Sequence, residues 1–161
     1  MKELRRKWSF KINGQTYVLI KRPQEREEHV LMKILLAKLY ADQYTGIKIE
    51  VPYEAEHRYK PDLLALNGQG EALFWGECGA VSQEKLNALV KKYPHTHLCF
   101  SKWNIAPYPF EKMIDKAMQS LKRARTAPVD FVNFPDAARE GIADNGEVAL
   151  AWNEVMRKQW V

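Results

Sequence analysis

Two short apolar runs flank an amphipathic segment in the middle of the chain, and their order constrains the fold more than any other feature. Each run, "ALFWGEC" at 72–78 and "THLCFS" at 96–101, has the length and composition of a buried strand. Ser82 is a candidate N-cap for a helix between them. The apolar stripe of this helix consists of Leu86, Leu89 and Val90. A strand, a helix and a strand in this order predict a right-handed crossover and a parallel pair of strands.

Upstream of this unit, the sequence predicts a hairpin, a helix and two more strands. Residues 7–12 and 16–21 alternate between apolar and polar around Asn13-Gly14, which is a strong hairpin signal. The segment 23–46 carries apolar residues at helical spacing and predicts an amphipathic helix. The remaining strand candidates, which would form an antiparallel meander with 72–78, lie at 47–56 and 61–67.

Downstream of this unit, we expect a helix at 110–125, a weaker pattern from Thr126 onward, and a last helix at 147–160. These elements indicate one domain over 1–161 with a mixed sheet and helices on both faces. Its parts would be an N-terminal hairpin (1–22), a core (23–125) and a C-terminal helical extension (126–161).

Composition and charge indicate a globular, cytoplasmic protein. Of the 161 residues, 46% are apolar, but no apolar run approaches the roughly 20 residues of a membrane helix, and no apolar signal core follows the basic start. The net charge of +5 permits a polyanionic partner without requiring one. Basic residues concentrate at 2–7, 21–22 and 120–125, although such clusters are usually solvated faces.

One acidic residue stands near each of two strand ends that the meander would bring together. Asp62 follows Pro61 at the start of one strand, and Glu77 lies near the end of the next. Two carboxylates in such positions repel each other unless a cation lies between them, and hard oxygen ligands suit Mg²⁺. The pair therefore predicts a metal site. The alternative interpretation is a turn-forming Pro-Asp and a solvated strand-end Glu.

The order of these elements, together with four short motifs, resembles the PD-(D/E)XK nuclease superfamily and most closely its YaeQ-like branch. The motifs read "RPQEREE", "ILLAKL", "KPDLL" and "WGECG", and the likeness covers about residues 15–105. The resemblance implies a three-layer α/β core, with a central mixed sheet flanked by helices, to which an N-terminal β-hairpin is added. It also implies that Asp62, Glu77 and the backbone carbonyl of Cys78 bind Mg²⁺ or Mn²⁺.

Two further site residues follow from the resemblance. The superfamily's third-strand Lys falls on Gly79, and because some members supply this cation from the following helix, Lys85 is the candidate here. Members also often bring a Glu from the first helix to the metal, and Glu28 is the candidate because it extends the buried stripe of that helix. Its neighbours Glu25 and Glu27 are interpreted as ordinary N-terminal acids. The alternative for Lys85 is an exposed surface residue.

The activity that the resemblance implies is phosphodiester hydrolysis in DNA or RNA, with Lys85 steering the water or stabilising the developing charge. Because Gly79 replaces the motif Lys, a degenerate module that binds nucleic acid or a protein without cutting it is the first alternative. The second is a structural or regulatory protein that retains only the scaffold. Nucleic acid is the expected partner, and the segment 152–160 could dock a second copy to form a homodimer.

Histidine, cysteine and aromatic residues suggest weaker alternatives. Four residues would have to combine in a zinc site, and their spacing matches no zinc finger or ribbon: His57, His95, His97 and Cys99. Cys78 and Cys99 have the character of apolar core residues, which disfavours a thiol nucleophile. Most of the large aromatic residues should pack in the core, although Trp75 shares the strand face of Glu77 and could line the site.

Overall fold

A computed structural model describes residues 6–161, and its main element is a sheet of six strands. The first five residues, which carry most of the basic segment at 2–7, lie outside the described part. The strands are β1 (Arg6–Ile12), β2 (Gln15–Lys21), β3 (Lys48–Ile49), β4 (Leu63–Leu66), β5 (Ala72–Cys78), β6 (His97–Trp103), β7 (Val129–Phe134) and β8 (Met156–Trp160). The helices are α1 (Glu27–Tyr40), α2 (Gln83–Lys92) and α3 (Tyr108–Gln119). Among the helices of residues 6–161, none combines the length and the apolarity that crossing a membrane requires.

The six strands run in the order β3-β4-β5-β6-β7-β8 and form a mixed sheet. β3, β4 and β5 are antiparallel, whereas β5, β6 and β7 are parallel. α2 and α3 make the two parallel crossovers and pack on one face, while α1 packs on the other. The predicted mixed sheet with helices on both faces is confirmed. As a result, β5, β6 and β7 end at the same edge of the sheet at which β4 begins.

The predicted N-terminal hairpin is also confirmed, and it packs with α1. Its turn residues Asn13 and Gly14 have positive φ angles of 50° and 83°, as a two-residue hairpin turn requires. Apolar residues of the hairpin, including Phe10 and Leu19, share a core cluster with α1. Because this helix packs against both the hairpin and the sheet, most of its side chains are buried.

The predicted C-terminal helical extension is wrong. Residues 129–134 form β7, which pairs in parallel with β6, and residues 156–160 form β8, which pairs antiparallel with β7. Between them the chain forms two short 3-10 helices, at Asp136–Gly141 and Trp152–Glu154. The predicted helix at 147–160 fails because the free edge of β7 offers backbone hydrogen bonds to β8, a long-range pairing that local spacing does not reveal. The idea of a docking helix at 152–160 fails with it, and a homodimer stays a prediction.

A buried polar network lies between α1 and the sheet. The Asp130 carboxylate lies 2.7 Å from Nε2 of His97 and accepts hydrogen bonds from Tyr40 and Gln159. The other ring nitrogen of His97 lies 2.7 Å from the Tyr44 hydroxyl. Because both ring nitrogens already have protein partners, His97 is a poor zinc ligand. Burial raises the pKa of the Cys78 and Cys99 thiols, in keeping with their prediction as core residues.

The irregular loop between β3 and β4 leads directly to Asp62, and a buried carboxylate anchors it. Glu56 accepts hydrogen bonds from Nζ of Lys92 at 2.7 Å, from the Tyr93 hydroxyl, and from the backbone N–H of Arg58 at 3.0 Å. Burial by itself would raise the pKa of Glu56, but these hydrogen bonds outweigh it and lower the pKa to about 2. The loop is therefore held against the C-terminal end of α2.

We expect Glu56→Gln to lower the free energy of unfolding by about 3 kcal/mol at neutral pH, since the pKa of Glu56 falls from 4.5 to about 2 and each pKa unit corresponds to about 1.4 kcal/mol. The folded pKa lies below the unfolded one, so the wild type loses this stability as the pH falls from about 4.5 toward 2. The difference between the variant and the wild type should shrink over that range. Urea unfolding at several pH values measures it, with the exposed Glu54→Gln as control. A deficit that is independent of pH would contradict the assignment.

Candidate functional site

Asp62 and Glu77 meet at the edge of the sheet where β4 begins and β5 ends. The pair Leu63 and Gly76 is in register, which puts Asp62 and Glu77 at the next opposed positions. The backbone N–H of Asp62 donates to the Gly76 carbonyl at 3.0 Å. The Asp62 carboxylate in turn accepts a hydrogen bond of 2.8 Å from the N–H of Cys78. The structure thus brings together the two carboxylates on which the predicted metal site depends.

The Glu77 carboxylate is buried, and each of its oxygens has a partner. Only 5% of the Glu77 residue is exposed to solvent. The indole N–H of Trp75, on the same face of β5, donates to Oε2 at 2.7 Å, and Nζ of Lys85 donates to Oε1 at 2.7 Å. Burial, with a further contribution from the nearby charge of Asp62, raises the pKa of Glu77 despite these two donors. Lys85 therefore supplies the positive charge beside a carboxylate that solvent barely reaches.

Lys85 reaches this carboxylate because α2 begins at the right place. The Ser82 hydroxyl caps the helix by accepting a hydrogen bond of 3.1 Å from the backbone N–H of Lys85. This cap holds Lys85 in the first turn, just after β5 ends. Its ammonium group also lies 5.4 Å from the ring centre of Tyr59. Its side chain is therefore partly buried rather than extended into solvent.

Gly79, which the sequence resemblance aligns with a lysine, has a backbone conformation that disfavours any side chain. Its φ angle is +91°, in the left-handed region that L-residues other than Gly rarely adopt. A Cβ atom there would lie 3.4 Å from Cδ2 of His29. A lysine at position 79 would therefore be strained, whereas Lys85 reaches Glu77 from the following helix.

A second polar network reaches the end of β5 from the side of α1. Nε2 of His29 lies 3.0 Å from the Cys78 carbonyl oxygen, and Nδ1 lies 2.7 Å from the Glu25 carboxylate. Both neighbours are hydrogen-bond acceptors, so the ring donates to both at once only in its doubly protonated form. Lys33 is almost fully buried and donates to both Glu25 and Glu50. The predicted carbonyl ligand, Cys78, is thus fixed in place by a histidine.

The residues of this second network were missed or misinterpreted in the sequence. The sequence-based prediction treats Glu25 as an ordinary N-terminal acid and does not include His29, Lys33 or Glu50. A signal was available, because positions 25, 29 and 33 follow one another at four-residue spacing and so share a helix face. Glu50 had no such signal, because it is itself a loop residue, and its position depends on an unusual φ angle of 61°.

Glu28 is not brought together with the other predicted site residues. Its carboxylate accepts a hydrogen bond of 2.8 Å from Arg139, which lies in the first 3-10 helix after β7. Glu25, just before the start of α1, is instead the carboxylate that shares a cavity with Asp62. This cavity has a volume of about 350 Å³ and is lined by Arg22, Gln24, Glu25, His29, Lys33, Glu50, Lys60 and Asp62. The charge of Glu28 is neutralised by Arg139.

The donor set at this edge fits a hard divalent cation with few protein ligands. Within residues 6–161, no group of three or more His, Cys, Asp or Glu side chains is placed to hold a metal ion. Mg²⁺ needs no such group, because it keeps several waters and binds through one or two carboxylates. Asp62, Glu77 and the Cys78 carbonyl offer oxygen atoms only, and each of these oxygens has a second lone pair beyond its present hydrogen bond.

Comparison with known proteins identifies the fold. No protein-family model matches the chain, and no curated protein matches it. The YaeQ protein from Pseudomonas syringae superposes with a TM-score of 0.61 at 16% identity, covering 92% of this chain and 82% of that one. The chain has a YaeQ-like fold. The YaeQ protein from Xanthomonas axonopodis pv. citri agrees, with a TM-score of 0.56 at 14% identity, covering 96% of this chain and 94% of that one.

The pair of Lys85 and Glu77 gives a test that does not depend on activity. We expect Lys85→Met to lower the free energy of unfolding by about 2 kcal/mol, because it leaves a buried carboxylate without its cation. The pKa of Glu77 should rise further, so the folded variant holds its proton more tightly than the unfolded chain does. Its deficit should therefore be larger at about pH 8 than at about pH 5.

A double-mutant cycle isolates this interaction. Glu77→Gln should recover part of the loss in Lys85→Met, with a coupling energy between about 0.5 and 3 kcal/mol. Lys91→Met, on the exposed end of the same helix, is the matched control and should change stability little. Additive effects of Lys85→Met and Glu77→Gln would show that the contact contributes nothing in solution.

Proposed function

We propose that the protein is a divalent-metal-dependent nuclease of the PD-(D/E)XK type, which hydrolyses phosphodiester bonds in DNA or RNA. The observation that carries this proposal is the ammonium group of Lys85 at 2.7 Å from Glu77, on the carboxylate that stands opposite Asp62. Two carboxylates that can bind a metal ion and a lysine that can stabilise negative charge lie together where β4 begins and β5 ends, and these are the groups that this chemistry requires. The YaeQ-like fold supports the proposal, since the sequence resemblance that predicted this fold also implied that Asp62, Glu77 and Lys85 form the site.

In this proposal Asp62, Glu77 and the Cys78 carbonyl hold Mg²⁺ or Mn²⁺. The bound ion would supply Lewis-acid polarisation of the phosphate and activation of water. The chain keeps these ligands in fixed positions, because the N–H of Cys78 holds Asp62, Trp75 holds Glu77, and His29 holds the Cys78 carbonyl. Such prior ordering favours tight positioning of the reacting groups, from which much of the rate enhancement comes.

Lys85 and the residues of the adjoining cavity have separate roles. Lys85 offsets the charge of Glu77 and can turn one of its remaining N–H donors toward the negative charge that develops on the phosphate. Arg22 and Lys60 line the cavity of Asp62 and would attract the phosphate backbone. No covalent intermediate is required, since the attacking group is water.

A binding module without catalysis is the second candidate, and a specific observation favours it. The Cys78 carbonyl oxygen already lies 3.0 Å from Nε2 of His29, and a hydrogen bond there leaves it one lone pair and makes it a weaker ligand for a metal ion. Such a module would still hold a polynucleotide at the same edge through its basic residues. The two candidates differ in metal affinity and in cleavage.

The test of the nuclease is titration calorimetry with Mg²⁺ and Mn²⁺, followed by cleavage assays on single- and double-stranded DNA and RNA. We expect the wild type to bind the metal and the double variant Asp62→Asn with Glu77→Gln to lose it, because each change replaces an anionic carboxylate ligand with a neutral amide. Metal-dependent cleavage should fall at least about 100-fold in that double variant, since a metal's contribution is several kcal/mol.

Two matched controls sharpen this experiment. Asp144→Asn removes an exposed carboxylate, and Lys91→Ala removes an exposed lysine of α2, so both should retain binding and cleavage. Lys85→Ala should keep metal binding but lose most of the cleavage rate. A wild type that binds neither metal would overturn the nuclease and leave the binding module.

A further inference from the structure

Lys102, near the end of β6, is a partly buried cation that has no acidic partner among the described residues. Its Nζ donates a hydrogen bond of 2.7 Å to the Gly79 carbonyl and lies 4.6 Å from the ring centre of Phe110. It forms no salt bridge with any residue in the range 6–161. Burial lowers the pKa of its ammonium group. A desolvated charge in this state gains free energy when an anion binds beside it.

The position of Lys102 places it beside the candidate metal site. β5 and β6 are parallel, with Glu77 opposite Phe100 and Cys78 opposite Ser101, so Lys102 stands at the level of Gly79. Neighbouring strands lie about 4.7–4.9 Å apart. A polynucleotide strand lying across this edge would therefore pass from the Asp62 and Glu77 carboxylates to Lys102 on the neighbouring strand.

Lys102 lines a cavity of about 650 Å³, where the unpaired charges are positive. The acidic residues of its wall are already neutralised, Glu25 by Lys33 and Glu28 by Arg139. Arg26 lines the same cavity and, within the described part of the chain, has no salt bridge. It is also the N-cap residue of α1, whose first turn has no side-chain cap. The partial positive charge of that helix end adds to the attraction for an anion.

We propose that Lys102 and Arg26 bind a phosphodiester group of a polynucleotide strand, next to the group held at Asp62 and Glu77. The identity of the polymer rests on the proposed function, but binding at this second position requires no cleavage. The purely structural alternative is that Lys102 only ties the ends of β5 and β6 together and packs on Phe110. In that case its removal would alter stability and leave polynucleotide affinity unchanged.

The experiment is fluorescence anisotropy with labelled single-stranded DNA and RNA oligonucleotides in EDTA, so that no metal-dependent cleavage occurs. Lys102→Met keeps the aliphatic stem over Phe110 and removes the charge. It should weaken binding about tenfold, as the loss of one charge-assisted hydrogen bond predicts. The slope of log affinity against log salt should fall by about 0.7, the value for one phosphate contact on a single strand. Lys102→Arg, which keeps the positive charge, should retain both the affinity and the salt slope of the wild type.

Lys116→Met, which removes an exposed charge from α3, is the matched control and should leave the salt slope unchanged. Arg26→Ala provides an independent variant if Lys102→Met does not fold, and it should reduce the slope by a similar amount. An unchanged affinity and slope in Lys102→Met and Arg26→Ala would overturn the subsite, even if the wild type cleaves its substrate.

The two proposals therefore fail separately. Binding that depends on Lys102 in a protein that neither binds metal nor cleaves would support the subsite and overturn the nuclease. A wild type that binds neither DNA nor RNA would overturn the subsite, whatever its affinity for metal.

Discussion

The buried carboxylate of Glu77 is the constraint on which the rest of the site depends. A carboxylate at this depth is costly unless its oxygens are hydrogen-bonded and a cation lies nearby. Trp75 and Lys85 meet this need, and each is fixed by a different part of the fold. Trp75 packs against Tyr53 and Tyr93 in the core, whereas Lys85 depends on the start of α2 at Ser82. The crossover from β5 to α2 therefore does more than connect two strands, because it also brings the positive charge of Lys85 to the buried carboxylate of Glu77.

Positive and negative groups are balanced differently on the two sides of the end of β5. On the α1 side, Lys33 neutralises Glu25, which also lies 2.7 Å from Nδ1 of His29, and Lys33 extends the network to Glu50. Toward β6, Lys102 lies next to Gly79 and forms no salt bridge with a carboxylate of residues 6–161. An anion approaching this edge would meet the paired charges of Glu25, Lys33 and Glu50 on one side and Lys102 on the other. Such a charge distribution would favour an anion on the side of Lys102.

Local chemistry made much of this fold predictable, and long-range pairing accounts for what was missed. The Asn13-Gly14 turn, the Ser82 cap and the apolar stripe of α2 act over a few residues, so the hairpin and the crossover could be recognised in the sequence. β8 exists because β7 has a free edge, and its segment had been predicted as a helix. Within the site, opposed strand ends predicted that Asp62 and Glu77 would meet. Glu28 was misplaced because its partner, Arg139, lies 111 residues away.

Gly79 explains why the positive charge of the site arrives from a helix. The backbone leaves β5 at this residue with a positive φ angle, and its carbonyl turns to accept from Lys102. A side chain at that position would be strained by the positive φ angle and would contact His29. The first turn of α2 begins only a few residues later, and its capped N-terminus holds Lys85 against Glu77. The site therefore needs no lysine on the strand itself, because the turn that disfavours a side chain at Gly79 leads into the helix that supplies Lys85.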